Sequence, residues 1–357
     1  MNKITAFFIV AIMLLGGLVS LSGNAVEANI AEVNTKQNNE LASLLPASDA
    51  VVTMNAQRFL SDALPQFLPL NSDEINQKIN EVKSKTGIDV RSFEQVAVGM
   101  KFEKVGNLNK MEVKPIVLTR GTFNAAGLIS LVKIAANGKY RQENINGKTV
   151  YTIKMEDLAK QVSTKSAKIA KDIGKAQKIV STNFAIVAVD QNTLAIGEPT
   201  IVRDMLRNRT RIDANLLGLV NRNPNGILNF AGNVPPSATQ LLKMDNDEIG
   251  KLLNSIRQVF GSIDINDDDA SVSLSSITEQ AEQAEQLEST LQGLQALGVG
   301  ILESKKDLRS QIAFRALQSL QIKRATNEVN LQTSLSKVDI NGLINNPKPA
   351  PTPSDSE

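Results

Sequence analysis

Apolar and polar positions alternate along the chain in short blocks, and each block predicts an element. Residues 50–54 (AVVTM) are apolar enough for a buried strand. Phe59, Leu60, Ala63, Leu64, Phe67 and Leu68 then recur at helical spacing, interrupted by Pro65. Asn71 with Glu74 forms a cap-like pair ahead of Ile75, Ile79 and Val82, and Gly87 is placed to end that helix. Residues 95–102 (QVAVGMKF) and 115–120 (PIVLTR) predict two strands around a turn containing Gly106 and Asn107. A helix over 124–136 stops at Asn137-Gly138. A hairpin over 139–153 follows, with Asn146-Gly147 as its two-residue turn. A Lys-rich helix is predicted over 155–178, then strands over 185–189 and 193–196, then a helix from Pro199 to Leu206 with proline in its first turn.

The order then recurs. Asn223-Pro224-Asn225-Gly226 is a turn and residues 227–230 (ILNF) start a strand. Residues 241–253 carry helical signal, and strands over 259–266 and 270–276 flank an Asp-rich turn. Ser276 to Glu279 fits a capping box, and the helix after it places Ala284, Leu287, Leu291 and Leu294 at core spacing. Strands over 320–324 and 328–335 close the half. The expected fold class is α+β. It would comprise two related units, 44–212 and 213–344, each an antiparallel or mixed sheet with helices on one face. Element order alone leaves open a single larger α+β domain.

The ends read differently. Lys3 is followed by an uncharged apolar run over residues 6–19 and then by small and polar residues, the three-part layout of a secretory signal peptide over 1–28. Cleavage fits after Ala25 or after Ala28. The apolar run is short for a span of about 20 residues, but Leu21 extends it, so a retained N-terminal anchor is the alternative. No Cys follows, which excludes a lipoprotein anchor. Residues 29–43 read as a polar lead-in. Residues 345–357 read as a Pro-rich disordered tail.

Three motifs go together: Leu44-Leu45-Pro46-Ala47-Ser48-Asp49-Ala50-Val51-Val52, Gly87-Ile88-Asp89-Val90, and Val96-Ala97-Val98-Gly99. Their pattern resembles that of a group of uncharacterised exported bacterial proteins, in which an LPAxDAVV-type opening introduces a strand and a Gly-Ile-Asp segment precedes the next. The pair at 184–190 and 193–197 is similar to the same group. The resemblance spans most of the mature chain and rests on structural motifs. It implies export and duplicated α+β units, and it implies no activity.

Composition narrows the chemistry. The 357 residues contain no His, no Cys and no Trp, with only two Tyr. That removes Ser-His-Asp and Cys-His sites, thiolate nucleophiles, disulfides and conventional zinc or haem ligation. Acid–base work would fall to Asp, Glu, Lys and Tyr, and no spacing nominates a pair. No P-loop, G-x-G-x-x-G or G-x-S-x-G motif occurs. The densest oxygen cluster is Asp264, Asn266, Asp267, Asp268 and Asp269, a weak candidate for a hard cation such as Ca²⁺. It fails the EF-hand pattern, with Asp269 where Gly is needed and Ser275 where Glu is needed. A strand-to-strand turn explains the same residues.

Lys plus Arg total 39 and Asp plus Glu 37, a net charge of +2 that directs the chain toward no particular partner. Residues 264–288 hold eight acidic residues and no basic one, whereas 154–178 hold seven Lys and three acids. Solvated helix faces account for both; the alternatives are that the two stretches face each other or mark surfaces for oppositely charged partners. The Lys-rich stretch is thin in apolar residues for a membrane-surface helix. The basic stretch Arg203, Arg207, Arg209, Arg211 and Arg222 is modest, and aromatics are 4% of residues, so nucleic-acid binding is not expected.

The expected function is therefore an exported, non-enzymatic binding or scaffolding protein of unknown ligand, without cofactor. It would be periplasmic or extracellular, with a protein partner in the envelope or outside the cell. A carboxylate-based enzyme or a divalent-metal-dependent protein of the envelope is the alternative. Membrane attachment would follow only if the signal segment were retained. Intact mass of the chain isolated from cells should show loss of the first 25 or 28 residues. A full-length mass would instead establish the anchored form.

Overall fold

Strands with near-continuous apolar runs need cover on both sides, and the first unit supplies it. The structure, a computed structural model, describes residues 37–67, 72–105, 110–154, 156–157, 183–235, 250, 254–266 and 268–345. The chain divides into two compact units, Met1–Phe59 with Ser72–Asn233, and Leu60–Asn71 with Val234–Glu357.

In the first unit the elements run α1 (Gln37–Ser43), β1 (Ala50–Asn55), α2 (Ser72–Thr86), β2 (Phe93–Val105), β3 (Lys110–Gly121), α3 (Ala125–Ala135), β4 (Tyr140–Ile145) and β5 (Lys148–Lys154). Then follow β6 (Asn183–Ala188), β7 (Thr193–Gly197), α4 (Pro199–Arg207), α5 (Ala214–Val220) and β8 (Leu228–Asn233). The strands form an antiparallel sheet in the order β8-β1-β2-β3-β7-β6-β5-β4. Val52 pairs with Val98 and Phe230, Val98 with Val117, and Val117 with Ile196, so one face is a row of apolar side chains. Ala125 and Ile129 of α3 join that core.

The opposite face is equally dry. Val51, Ala97, Leu118, Ala195 and Val187 are buried there, beneath α1, α4 and α5. The expectation of helices on one face is thus corrected for this unit, because alternate residues on both sides of the central strands are apolar and each side must be covered.

Local chemistry sets the ends of these elements. Asn124 accepts a hydrogen bond from Gly127 N at 2.9 Å and opens α3, which stops where Asn137 and Gly138 turn to φ 51° and 73°. Asn146 and Gly147, at φ 49° and 79°, make the tight β4–β5 turn their sequence predicts. Glu198 accepts from Thr200 N and Ile201 N at the start of α4, and Asp213 from Asn215 N and Leu216 N at the start of α5.

The second unit contains β9 (Ile256–Ile265), β10 (Asp269–Thr278), α6 (Ala281–Glu303), α7 (Leu308–Ser319), β11 (Gln321–Ala325), β12 (Glu328–Ser336) and α8 (Lys337–Asn345). Its strands pair antiparallel in the order β11-β12-β10-β9. Ala284 and Leu287 of α6 pack on Val329. Thr333 Oγ1 donates to Ala316 O of α7 at 2.9 Å, while Gln332, Ser334 and Ser336 are exposed on the other side of β12. Ser262 and Ser273, paired across β9 and β10, hydrogen-bond at 2.7 Å through their hydroxyls.

Four further expectations change. Residues 213–233 belong to the first unit, because β8 pairs with β1 from Leu228 to Gly232, so the boundary drawn at 212/213 lies one helix and one strand too early. The lead-in 29–43 ends in a docked helix, α1, whose Leu41 and Ala42 are buried. Ser276 does not cap α6, because it lies in β10, paired with Val259 and Val329; the cap is Gln280, whose N donates to Gln283 Oε1 at 3.1 Å. Asn345 is the last residue of α8 and not the start of the tail. The signal segment, Leu68, the cap-forming Asn71, the Gly106-Asn107 turn, the Lys-rich helix over 155–178 apart from Glu156 and Asp157, the helical signal over 241–253 apart from Gly250, and residues 346–357 lie outside the described residues.

Some close approaches depend on a missing side chain. A Cβ on Gly121 would lie 1.8 Å from Ser92 O, so Gly121→Ala should destabilise the chain by about 1–3 kcal/mol. Gly218 is an exposed position of α5 with nothing within reach of a Cβ, and Gly218→Ala should add about 0.5–1 kcal/mol. Chemical denaturation followed by far-ultraviolet circular dichroism checks both signs.

Candidate functional site

The Asp-rich turn between β9 and β10 is built from its own side chains. Asn266 Oδ1 accepts from Asp268 N at 2.8 Å and Asp269 N at 2.9 Å, and its Nδ2 donates to Asp269 Oδ1 at 2.7 Å. Asp264 Oδ1 accepts from Ile265 N at 3.0 Å. This is an Asx-type turn, the use that short polar side chains serve between strands. Asp264 belongs to β9, Asp269 opens β10, and Asp267 lies outside the described residues. Among the described residues no three His, Cys, Asp or Glu side chains gather where they could hold a metal ion.

The charged stretches are partly answered by the fold. Glu279 pairs with Arg257, and Glu288 accepts from Arg324 Nε at 3.1 Å, with Glu285 3.9 Å from the same guanidinium. In the basic stretch, Arg203 pairs with Glu143 at 2.7 Å, and Arg211 donates to Leu44 O at 2.7 Å. These guanidiniums tie elements of the first unit together. Of the Lys-rich stretch, Lys154, Glu156 and Asp157 are described, and Asp157 lies 3.7 Å from Lys139.

The two tyrosines of the chain meet. Tyr140 and Tyr151 stack edge-on at 5.5 Å between ring centroids, and Lys133 Nζ sits 5.0 and 4.8 Å from the two centroids. A cation held over two ring faces is a favourable local contact. Both rings also pack against the apolar core of the first unit, so the cluster serves to close the end of that core.

A feature with no such internal use is on α6. Its N-terminal half packs on the sheet through Ala284 and Leu287. Its C-terminal half leans on α7: Gln295 Nε2 donates to Leu317 O and Leu320 O at 2.7 and 2.8 Å, and a Cβ on Gly298 would come within 2.8 Å of Leu317. Away from α7, Leu294, Leu297 and Ile301 are 49%, 64% and 64% exposed. Leu294, assigned to the core by its spacing, is therefore corrected to a surface position: the core-facing row ends near Leu291, where the sheet stops providing cover. The overlooked signal was the chargeless run 289–302, too long and too apolar for a solvated helix end.

No family model matches the chain, and no curated protein matches it. Among solved structures it is similar to crystal forms III, I and IV of TP0453, at 8% identity in each case, with TM-scores of 0.43, 0.40 and 0.43. The matches cover 85%, 85% and 86% of this chain and 96% of the TP0453 chain. At that identity and those scores the likeness carries no assignment of fold or function. Among the described residues no helix is long and apolar enough to cross a membrane.

The helical layer beside this face is secured by an ion pair. Arg315 of α7 donates through both Nε and Nη2 to the Asp339 carboxylate of α8, with Nε–Oδ2 at 3.2 Å. The Arg315 guanidinium holds the Asp339 carboxyl below its ordinary range, against the opposing effect of burial, with Ser336 assisting. A carboxyl lowered in the native state contributes stability above its unfolded pKa of about 3.9, and that contribution is lost as pH falls through the native value. Asp339→Asn should therefore be less stable than wild type at pH 7, with the gap constant down to about pH 5 and closing below about pH 4. Denaturation midpoints measured across that range check the sign.

Proposed function

We propose that this chain is an exported, non-enzymatic binding or scaffolding protein of the envelope or the extracellular space. The carrying observation is the exposed apolar surface on the C-terminal half of α6, formed by Leu294, Leu297 and Ile301. Fully burying a leucine or isoleucine is worth roughly 1.5–3 kcal/mol, so a surface that leaves three of them half open or more has energy to offer a partner. The signal-like layout of residues 1–28 supports export. The absence of His and Cys from the sequence supports a role in binding over one in catalysis.

The proposal includes a duplicated build. Both units carry a hairpin, a helical segment and a second hairpin: β2–β3, α3, β4–β5 in the first, and β9–β10, α6 with α7, β11–β12 in the second. In the second unit β12 pairs directly with β10, whereas in the first the β6–β7 hairpin lies between β5 and β3. One ancestral unit, with a hairpin inserted in one copy, accounts for both arrangements.

Chemical crosslinking in the native envelope, followed by capture through a C-terminal tag and mass spectrometry, tests the reading. A crosslinked species should recur with the wild-type chain and be lost when Leu297 and Ile301 are changed together to Glu. Recovery of the protein alone in both cases would overturn it. So would a hydrolase activity of the purified chain that one carboxylate substitution abolishes.

A further inference from the structure

One-electron oxidation of a protein ends on the side chains that release an electron most readily: Trp, Tyr and Cys. This chain has no Trp and no Cys, and Tyr140 and Tyr151 are its only tyrosines. Its eight Met react with peroxide by taking up an oxygen atom instead. The two tyrosines stand diagonally across the β4–β5 hairpin, Tyr140 opposite Ile153 and Tyr151 opposite Gln142. That offset is within reach of aromatic side chains. The rings meet at 5.5 Å between centroids with 77° between their planes, so the edge of one stands against the face of the other. Both are half-buried, so each keeps part of its surface open to solvent.

We propose that Tyr140 and Tyr151 are a site of oxidative modification, at which a one-electron oxidant such as a haem peroxidase working on hydrogen peroxide joins the two rings as dityrosine. Each phenol loses one electron and one proton. The two phenoxyl radicals couple through a carbon ortho to each oxygen, forming one carbon–carbon bond. The hydrogen on each of these carbons then moves to the phenolic oxygen, which restores two phenols. The pair gives up two electrons and two protons in all, and these reduce one hydrogen peroxide to two waters.

Lys133 suits the step. Its Nζ lies 5.0 and 4.8 Å from the two centroids, and a positive charge so placed opposes a ring that has lost an electron but kept its proton. Electron and proton therefore leave together, and the neutral radical that results is the species that couples. The same ammonium, attracted to both rings, holds them on one side of the hairpin.

The product would join β4 covalently to β5. Among the described residues β4 ends the strand order of the first unit and pairs with β5 alone, and strands with one neighbour are the exposed margin of a sheet. A bond across the hairpin restricts the unfolded chain as a disulfide does, in a protein that has no Cys to form one. The inference stands apart from the binding role: it needs neither a partner nor the apolar row of α6.

The purified chain treated with a haem peroxidase and hydrogen peroxide should develop dityrosine fluorescence, read without tryptophan background, while still running as a monomer on a denaturing gel. Peptide mass spectrometry should find residues 140 and 151 joined with the loss of two hydrogens. The yield per chain should stay level across a dilution series. Tyr140→Phe and Tyr151→Phe, which keep the rings and the circular dichroism spectrum, should each abolish the product. The denaturation midpoint should rise on treatment in the wild type and in neither variant. A wild type that yields no dityrosine would overturn the inference. So would a product found only in covalent dimers, a yield that climbs with protein concentration, or emission that survives either substitution.

Discussion

A strand that buries both faces must be covered twice, and β1, β2, β3 and β7 bury both. Their alternate residues leave neither side wettable: Val52, Val98, Val117 and Leu194 point one way, Val51, Ala97, Leu118 and Ala195 the other, and all eight are buried. The register between these strands therefore decides the composition of two cores at once, and a slip by one residue would exchange them. Helices α3 on one side and α1, α4 and α5 on the other are the consequence of that burial. Glycines make the layers fit: on the face under α1, a Cβ at Gly99 would come within 2.5 Å of Ser48 Oγ and 3.3 Å of Leu45.

Polar groups inside this sheet are placed where the strands can answer them. Thr119 Oγ1 donates to Gln95 O at 3.1 Å, and Arg120 Nε to Thr193 Oγ1 at 3.1 Å. The pairing of Gln95 with Arg120 and of Arg120 with Thr193 makes a polar row across three strands. Thr53 Oγ1 and Asn229 Oδ1 are buried with no hydrogen-bond partner in the described structure, on strands that pair these two residues. Leaving such groups unanswered costs about 1–3 kcal/mol each, which the apolar burial around them must offset.

The second unit packs its helices on a sheet of four strands. One of its buried clusters gathers Ala284, Leu287 and Val329, Phe260, Ile265, Ala270, Ile312 and Ile340 are buried besides, and the side of β12 away from α7 is polar. Helix α6 extends beyond the residues that the sheet covers, and the Gln295 bonds and the Gly298 contact secure it to α7 on one flank only. An exposed leucine row on the other flank follows from this geometry, and it is where the binding proposal rests.

Much of the fold was legible in the residues. Asn146-Gly147, Asn124, Asn137-Gly138 and Pro199 act through the backbone of their own neighbours, so their turns and caps could be read without knowing what packs on them. What local pattern could not supply was pairing and cover. Residues 37–43 look polar until Leu41 and Ala42 meet the sheet, β8 looks like the start of a new unit until it pairs with β1, and Leu294 looks like core until the sheet ends beneath it. The Asp-rich cluster was legible both as a cation site and as a turn, and the bonds of Asn266 to Asp268 and Asp269 describe a turn. The sequence by itself determined which chemistries are closed to this protein and where its local elements begin and end, because residue types and short-range hydrogen bonds need no tertiary context. Which apolar side chains are buried and which face solvent was decided by the tertiary structure alone, because burial is a property of what lies opposite.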